Sequence, residues 1–139
     1  MDQNVGLWID HKQAYAIWYQ EGKVDVIPSH IEPPAHSSGG TQLGGKQNQK
    51  GDVELHHNDR FRLQLHKYYQ QVISALKNAN FIFIMGPGQA KIEFEKVMKK
   101  NKTMEKRILK VETADKMTKN QMIAYVREFY QSQAIHDPS

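Results

Sequence analysis

Apolar and polar residues alternate over Val5 to Asp10, with Val5, Leu7 and Ile9 on one side and Gly6, Trp8 and Asp10 on the other. The alternation returns over Ala14 to Gln20, where Tyr15, Ile17 and Tyr19 interleave with Ala16 and Trp18. A period of two marks strands. The polar links His11-Lys12-Gln13 and Glu21-Gly22-Lys23 are short enough for hairpins, so Val5 to about Ile31 is expected to form a three-stranded antiparallel meander ended by Pro33-Pro34. The pattern then lapses: from Glu32 to Asp52 only Ala35 and Leu43 interrupt a run of Gly, Ser, Gln, Asn and Lys. A non-periodic stretch of that length is expected to be a long loop, either functional or disordered.

A helical period follows. Phe61, Leu65, Tyr68, Tyr69, Val72, Ile73 and Leu76 repeat at three- and four-residue intervals and predict a helix capped at Asn58 or Asp59 and ended by Asn78 to Asn80. Phe81-Ile82-Phe83-Ile84-Met85 is continuously apolar, as in a strand covered on both faces, and Gly86-Pro87-Gly88 turns the chain after it. Ala90, Phe94, Val97 and Met98 mark one face of a second helix, with Lys91, Glu95 and Lys99 spaced for pairing on the other. Arg107 to Val111 reads as a strand. Thr118 and Gln121 have the spacing of a capping box, and Met122, Val126, Phe129 and Tyr130 supply the stripe of a last helix. The expected order is β-β-β-α-β-α-β-α, an α/β class with a mixed sheet and helices packed on it, in one domain over 1–132 with a frayed tail over 133–139.

Charge sharpens this outline. The chain has 139 residues with 19 basic and 15 acidic side chains, a net charge of +4. Residues 81–110 carry eight basic against three acidic groups, so the excess is concentrated there and Lys91, Lys99, Lys100, Lys102, Lys106 and Lys110 are candidate contacts for a polyanion such as RNA. The absence of cysteine removes disulfides, thiolate metal sites and cysteine nucleophiles. No apolar run approaches the roughly 20 residues of a bilayer crossing, and the first residues lack a secretory pattern, so a cytoplasmic protein without membrane contact is expected. The seven histidines include the adjacent pair His56-His57, which cannot share a helix face, so neither a metal site nor a cofactor is expected.

Three segments carry a resemblance. Val5-Gly6-Leu7-Trp8-Ile9-Asp10 with its hairpins, Phe81 to Gly88 followed by Lys91 and Phe94, and Val111 to Thr118 leading into the last helix are similar, in that order, to the middle domain of eukaryotic and archaeal class I peptide-chain release factors and of Pelota. The chain resembles the small bacterial relatives of that domain more closely still. The likeness runs from about Val5 to Tyr130 and implies a ribonuclease-H-like α/β fold, work at the ribosome, and ribosomal or transfer RNA as partners. In those release factors the loop before the first helix carries Gly-Gly-Gln and promotes hydrolysis of peptidyl-tRNA. Here the corresponding stretch reads Ser38-Gly39-Gly40-Thr41-Gln42, with the glutamine one place later, then Gly44-Gly45-Lys46-Gln47.

The resemblance makes Gly39, Gly40 and Gln42 candidate catalytic residues. Glycine backbone approaches an ester closely, while a glutamine amide and backbone N–H groups orient water and stabilise an oxyanion. Lys46 and Lys50 join the candidate RNA contacts, although Glu32 and Asp52 leave residues 32–52 electrically neutral. Three readings stay open: an RNA-binding translation protein, with or without a peptidyl-tRNA hydrolase-like release activity; a non-catalytic protein-interaction module, with a homodimer among its forms; and a Mg²⁺-dependent nuclease built on Asp10, Glu112 and Asp115.

Overall fold

The computed structural model describes the backbone of residues 3–31 and 47–136 and the side chains of 3–31 and 59–133. Strands β1 (Asn4–Ile9), β2 (Gln13–Trp18) and β3 (Lys23–Pro28) form the expected meander. Asp10 sets the first hairpin, its Oδ1 accepting from the N–H groups of Lys12 and Gln13 at 2.8 and 2.9 Å. Helix α1 (Gln47–Ala75) leads to β4 (Phe81–Gly86), followed by α2 (Ala90–Lys99), α3 (Lys102–Glu105), β5 (Ile108–Thr113) and α4 (Lys119–His136).

The strands make one mixed sheet in the order β3-β2-β1-β4-β5. β1 pairs antiparallel with β2 and parallel with β4, and β4 pairs parallel with β5. The apolar run of β4 therefore lies inside the sheet, where both of its faces are buried. Ile82 and Ile84 join Leu65, Tyr69, Val72 and Leu76 of α1 and Phe94 and Met98 of α2 on one side. Phe83 and Met85 meet Met122, Val126 and Tyr130 of α4 on the other. The chain is an α/β protein with helices on both faces of the sheet.

Two glycines are required by this packing. A Cβ on Gly6 would stand 2.2 Å from Cγ2 of Val126, so α4 lies against β1 only because that position is bare. Gly86 has φ 154, and a Cβ there would meet the Ile9 carbonyl oxygen at 2.2 Å.

The structure departs from the sequence pattern at three points. α1 begins at Gln47 rather than at Asn58 or Asp59, because an apolar stripe marks only where a helix packs, and a proline-free Gln/Asn/Lys/Glu segment propagates a helix once a packed turn nucleates it. α4 continues to His136, into the stretch expected to fray. The short helix α3 was not expected; Asn101 caps it, its Oδ1 accepting from Thr103 and Met104 N–H at 3.0 and 3.3 Å. Among the described residues no helix is long and apolar enough to cross a membrane.

Candidate nucleic-acid interface

Strand direction decides where the candidate residues fall. β1, β3, β4 and β5 run parallel to one another, so their C-terminal ends share one edge of the sheet and the starts of β4 and β5 share the opposite one. Six-residue strands separate the two edges by about 20 Å.

At the C-terminal edge the chain leaves β3 through Ser29, whose N–H donates to the Lys12 carbonyl at 2.9 Å. Gly39, Gly40, Gln42 and Lys46 then fall outside the described residues, and Lys50 lies on the first turns of α1 with its side chain outside them. His56 and His57 lie further along α1, also with undescribed side chains. α1 passes this edge at Phe61, whose ring sits edge-on to His11 at 5.9 Å. His11 Nε2 meets Glu93 Oε1 at 3.0 Å, and the same oxygen accepts from the Tyr69 hydroxyl at 2.7 Å. Tyr68 donates to the Asp10 carbonyl at 2.8 Å. These contacts tie the first hairpin to α1 and α2.

The turn Gly86-Pro87-Gly88 belongs to this edge, and it takes up a charge that the sequence placed on the surface. Lys91 is only 5% exposed, and its Nζ donates to the Gly88 carbonyl at 2.6 Å. Its aliphatic stem packs inward while the ammonium closes the turn, so it is unavailable to a phosphate in this arrangement.

The opposite edge carries Lys99, Lys100, Lys102 and Lys106. Lys100, Lys102 and Lys106 are exposed and make no ion pair with the described residues. α3 fixes their spacing: its Asn101 cap starts the turn and Met104 is buried beneath it. Arg107 holds the next bend, its Nη1 donating to the carbonyls of Lys77 and Ala79 at 2.9 and 3.0 Å. That contact brings exposed Lys77, at the end of α1, to the same edge. Sequence spacing could not reveal this, because the two segments lie 30 residues apart. Lys99 pairs with Glu95 at 3.3 Å, as the four-residue spacing predicted, and Lys110 pairs with Glu112 at 3.0 Å.

The carboxylates of the nuclease reading do not converge. Asp10 is occupied by its turn, Glu112 binds Lys110 and the Tyr125 hydroxyl, and among the described residues no three His, Cys, Asp or Glu side chains gather as a metal site would require. Trp8 and Trp18 are buried rather than presented for base stacking; their indole N–H groups donate to the Asp115 carbonyl and to Asp25 Oδ2.

No protein-family model and no curated protein matches the chain. Among solved structures it is similar to Pelota of Archaeoglobus fulgidus, at 15% identity and a TM-score of 0.49 over 96% of this chain and 37% of that one. It is also similar to an archaeal translation termination factor, at 12% identity and a TM-score of 0.37 over 96% of this chain and 40% of the other. A further archaeal protein gives 10% identity and a TM-score of 0.43 over the same shares. The chain thus spans about two fifths of the proteins it resembles.

Proposed function

We propose that this protein is a cytoplasmic, translation-associated RNA-binding protein that docks on ribosomal or transfer RNA through the edge formed by Lys100, Lys102 and Lys106, with Lys77 beside them. The observation that carries the reading is the presence of three exposed lysines within seven residues, on a capped and packed turn, without carboxylate partners among the described residues. Lys99 and Lys110 are paired with Glu95 and Glu112, whereas Lys100, Lys102 and Lys106 share their turn with Glu105 without an ion pair to it, and the net positive charge that remains suits a phosphate backbone. The choice of translational RNA rests on the three release-factor-like segments of the sequence.

In the catalytic form of this reading, Gly39, Gly40 and Gln42 promote peptidyl-tRNA hydrolysis, Gln42 orienting the attacking water. The chain enters their segment from the edge opposite the lysines. In that form the lysines fix the protein on RNA while the glycine-bearing segment supplies the chemistry.

The test is co-sedimentation with 70S ribosomes across a salt series. Replacing Lys100, Lys102 and Lys106 together by Glu is expected to abolish binding at moderate salt. Neutral Gln at all three should lower the slope of log K against log salt by roughly 2 to 3, at about 0.7 to 0.9 per phosphate contact. Unchanged binding and slope in both variants would refute the RNA edge. Separately, a peptidyl-tRNA hydrolysis rate unaffected by Gly40→Ala and Gln42→Ala would remove the catalytic form and leave the binding one.

A further inference from the structure

The two ends of the sheet are unequal. Each edge strand packs one face on a helix, β3 on α1 and β5 on α2, but β3 ends in Pro28 whereas β5 contains no proline, and among the described residues no strand pairs with its outer side. An unguarded edge strand is a template for another strand. Which groups it offers follows from its inner ladder. Ala114 N–H donates to the Gly86 carbonyl at 3.0 Å, and the register sets Met85 beside Glu112 and Phe83 beside Lys110. Residues 110, 112 and 114 therefore spend their backbone groups on β4, and strand alternation turns those of Val111 and Thr113 outward, beyond the irregularity at Leu109.

Apolar surface collects along the same strand. Leu109 is 42% exposed, Ile92 of α2 is 38% exposed on one side and Tyr125 of α4 is 37% exposed on the other. Between α2 and β5 lies a shallow groove of about 520 Å³, where Ile92, Leu109 and Val111 line the wall together with the charged Lys91, Glu95 and Lys110.

The charge pattern selects the occupant. If β5 meets a second β5 antiparallel, outward-facing residues must oppose outward-facing residues, which leaves three short-range registers. Centring on residue 110 sets Lys110 against Lys110, and centring on residue 112 sets Glu112 against Glu112. Centring on Val111 sets Lys110 against Glu112 twice, Leu109 against Thr113, and Val111 against its own copy. Opposite charges directly across a ladder stabilise it and like charges oppose it. The sequence of β5 is thus complementary to itself in one register only, and in that register the outward N–H and C=O groups of Val111 pair with those of its own copy.

We propose that β5 is a dimerisation seam, pairing with β5 of a second copy of this chain about a two-fold axis at Val111 to give a continuous ten-stranded sheet. Both copies contribute the same patch, as a two-fold interface requires. The seam is separate from the lysine edge: Lys110 lies within it, while Lys100, Lys102 and Lys106 all precede the strand.

Sedimentation velocity on the full chain tests the seam. The wild type is expected at twice the monomer mass. Lys110→Glu and Glu112→Lys should each weaken the dimer about tenfold or more by opposing like charges. An equal mixture of these two variants should restore it as a heterodimer, because every cross-strand pair is then again of opposite sign; a folding defect in either variant cannot produce that recovery. Val111→Pro, which removes an outward N–H without touching the β4 ladder, should give a monomer with an unchanged near-UV spectrum. A wild type that stays monomeric at its highest soluble concentration would overturn the proposal and leave the edge to an extended segment of another protein. A dimer indifferent to both charge reversals, or a mixture that fails to associate, would overturn it equally.

Discussion

The ammonium of Lys91 and the carbonyl of Gly88 lie 2.6 Å apart at the start of α2, joining a helix side chain to the turn that precedes it. A hydrogen bond with a charged donor in a nearly closed site contributes about 1.5 to 3 kcal/mol. Lys91→Met keeps most of the buried stem and removes only that bond. The variant is expected to lose about 1 to 3 kcal/mol in urea unfolding while keeping the wild-type salt slope for ribosome binding. A reduced slope with unchanged stability would show that the ammonium reaches RNA after all.

Gly6 and Val126 form a steric pair. Gly6→Ala should cost about 1 to 3 kcal/mol, because its methyl group would occupy the space of Val126 Cγ2 and push α4 from the sheet. Val126→Ala alone should destabilise by leaving a cavity, yet the double variant should be more stable than the sum of the two losses predicts. Additive losses in a denaturation cycle would contradict the contact.

Three tyrosines make the fold sensitive to base. Burial raises the Tyr68, Tyr69 and Tyr130 hydroxyls well above the ordinary tyrosine value. The charge of Asp10 adds to the effect at Tyr68, and the hydrogen bond to Glu93 adds at Tyr69. At Tyr130 burial outweighs the hydrogen bond to the Val5 carbonyl, which acts in the other direction. A raised folded-state pKa means that the fold holds protons the unfolded chain releases first. The stabilisation is therefore complete below about pH 10 and declines as pH rises past it. Urea midpoints should be flat from neutral pH to about 9.5 and fall beyond, less steeply in Tyr130→Phe than in the wild type. A flat profile to pH 11 would disprove the burial of these hydroxyls.

The capping box at α4 is reciprocal: Gln121 N–H donates to Thr118 Oγ1 at 3.1 Å, and Thr118 N–H donates to Gln121 Oε1 at 2.9 Å. Thr118→Ala is expected to cost about 1 kcal/mol, measured as a drop in Tm, and Thr118→Ser to cost little. Equal losses in both would assign the effect to the methyl group instead of the cap.

Local chemistry was legible and spatial relation was not. The meander, the buried β4, the glycine turn and the α4 cap each follow from residues within a few positions of one another, so pattern and turn chemistry suffice. Lys91 reads as a surface charge because counting charges treats every lysine as solvated, whereas its stem is long enough to pack while its tip finds a carbonyl. α3 carries too few residues to show a period, and only Asn101 hints at it. The separation of Lys100, Lys102 and Lys106 from the end of β3 needs the strand directions, which no local pattern contains. Gly39, Gly40, Gln42 and Lys46 lie outside the described residues, so their role rests on the sequence alone.

β1 sits at the centre of the sheet, with a near neighbour in the chain on one side and a distant one on the other. Its ladder to β2 joins residues such as Ile9 and Ala14, whereas its ladder to β4 joins Val5 to Ile82. Closing the first ladder takes microseconds and little entropy, while the second must wait until α1 and everything before it has been gathered in. The parallel seam between β1 and β4 is therefore expected to set the speed of folding, and a nascent chain holds a paired hairpin long before it holds a sheet.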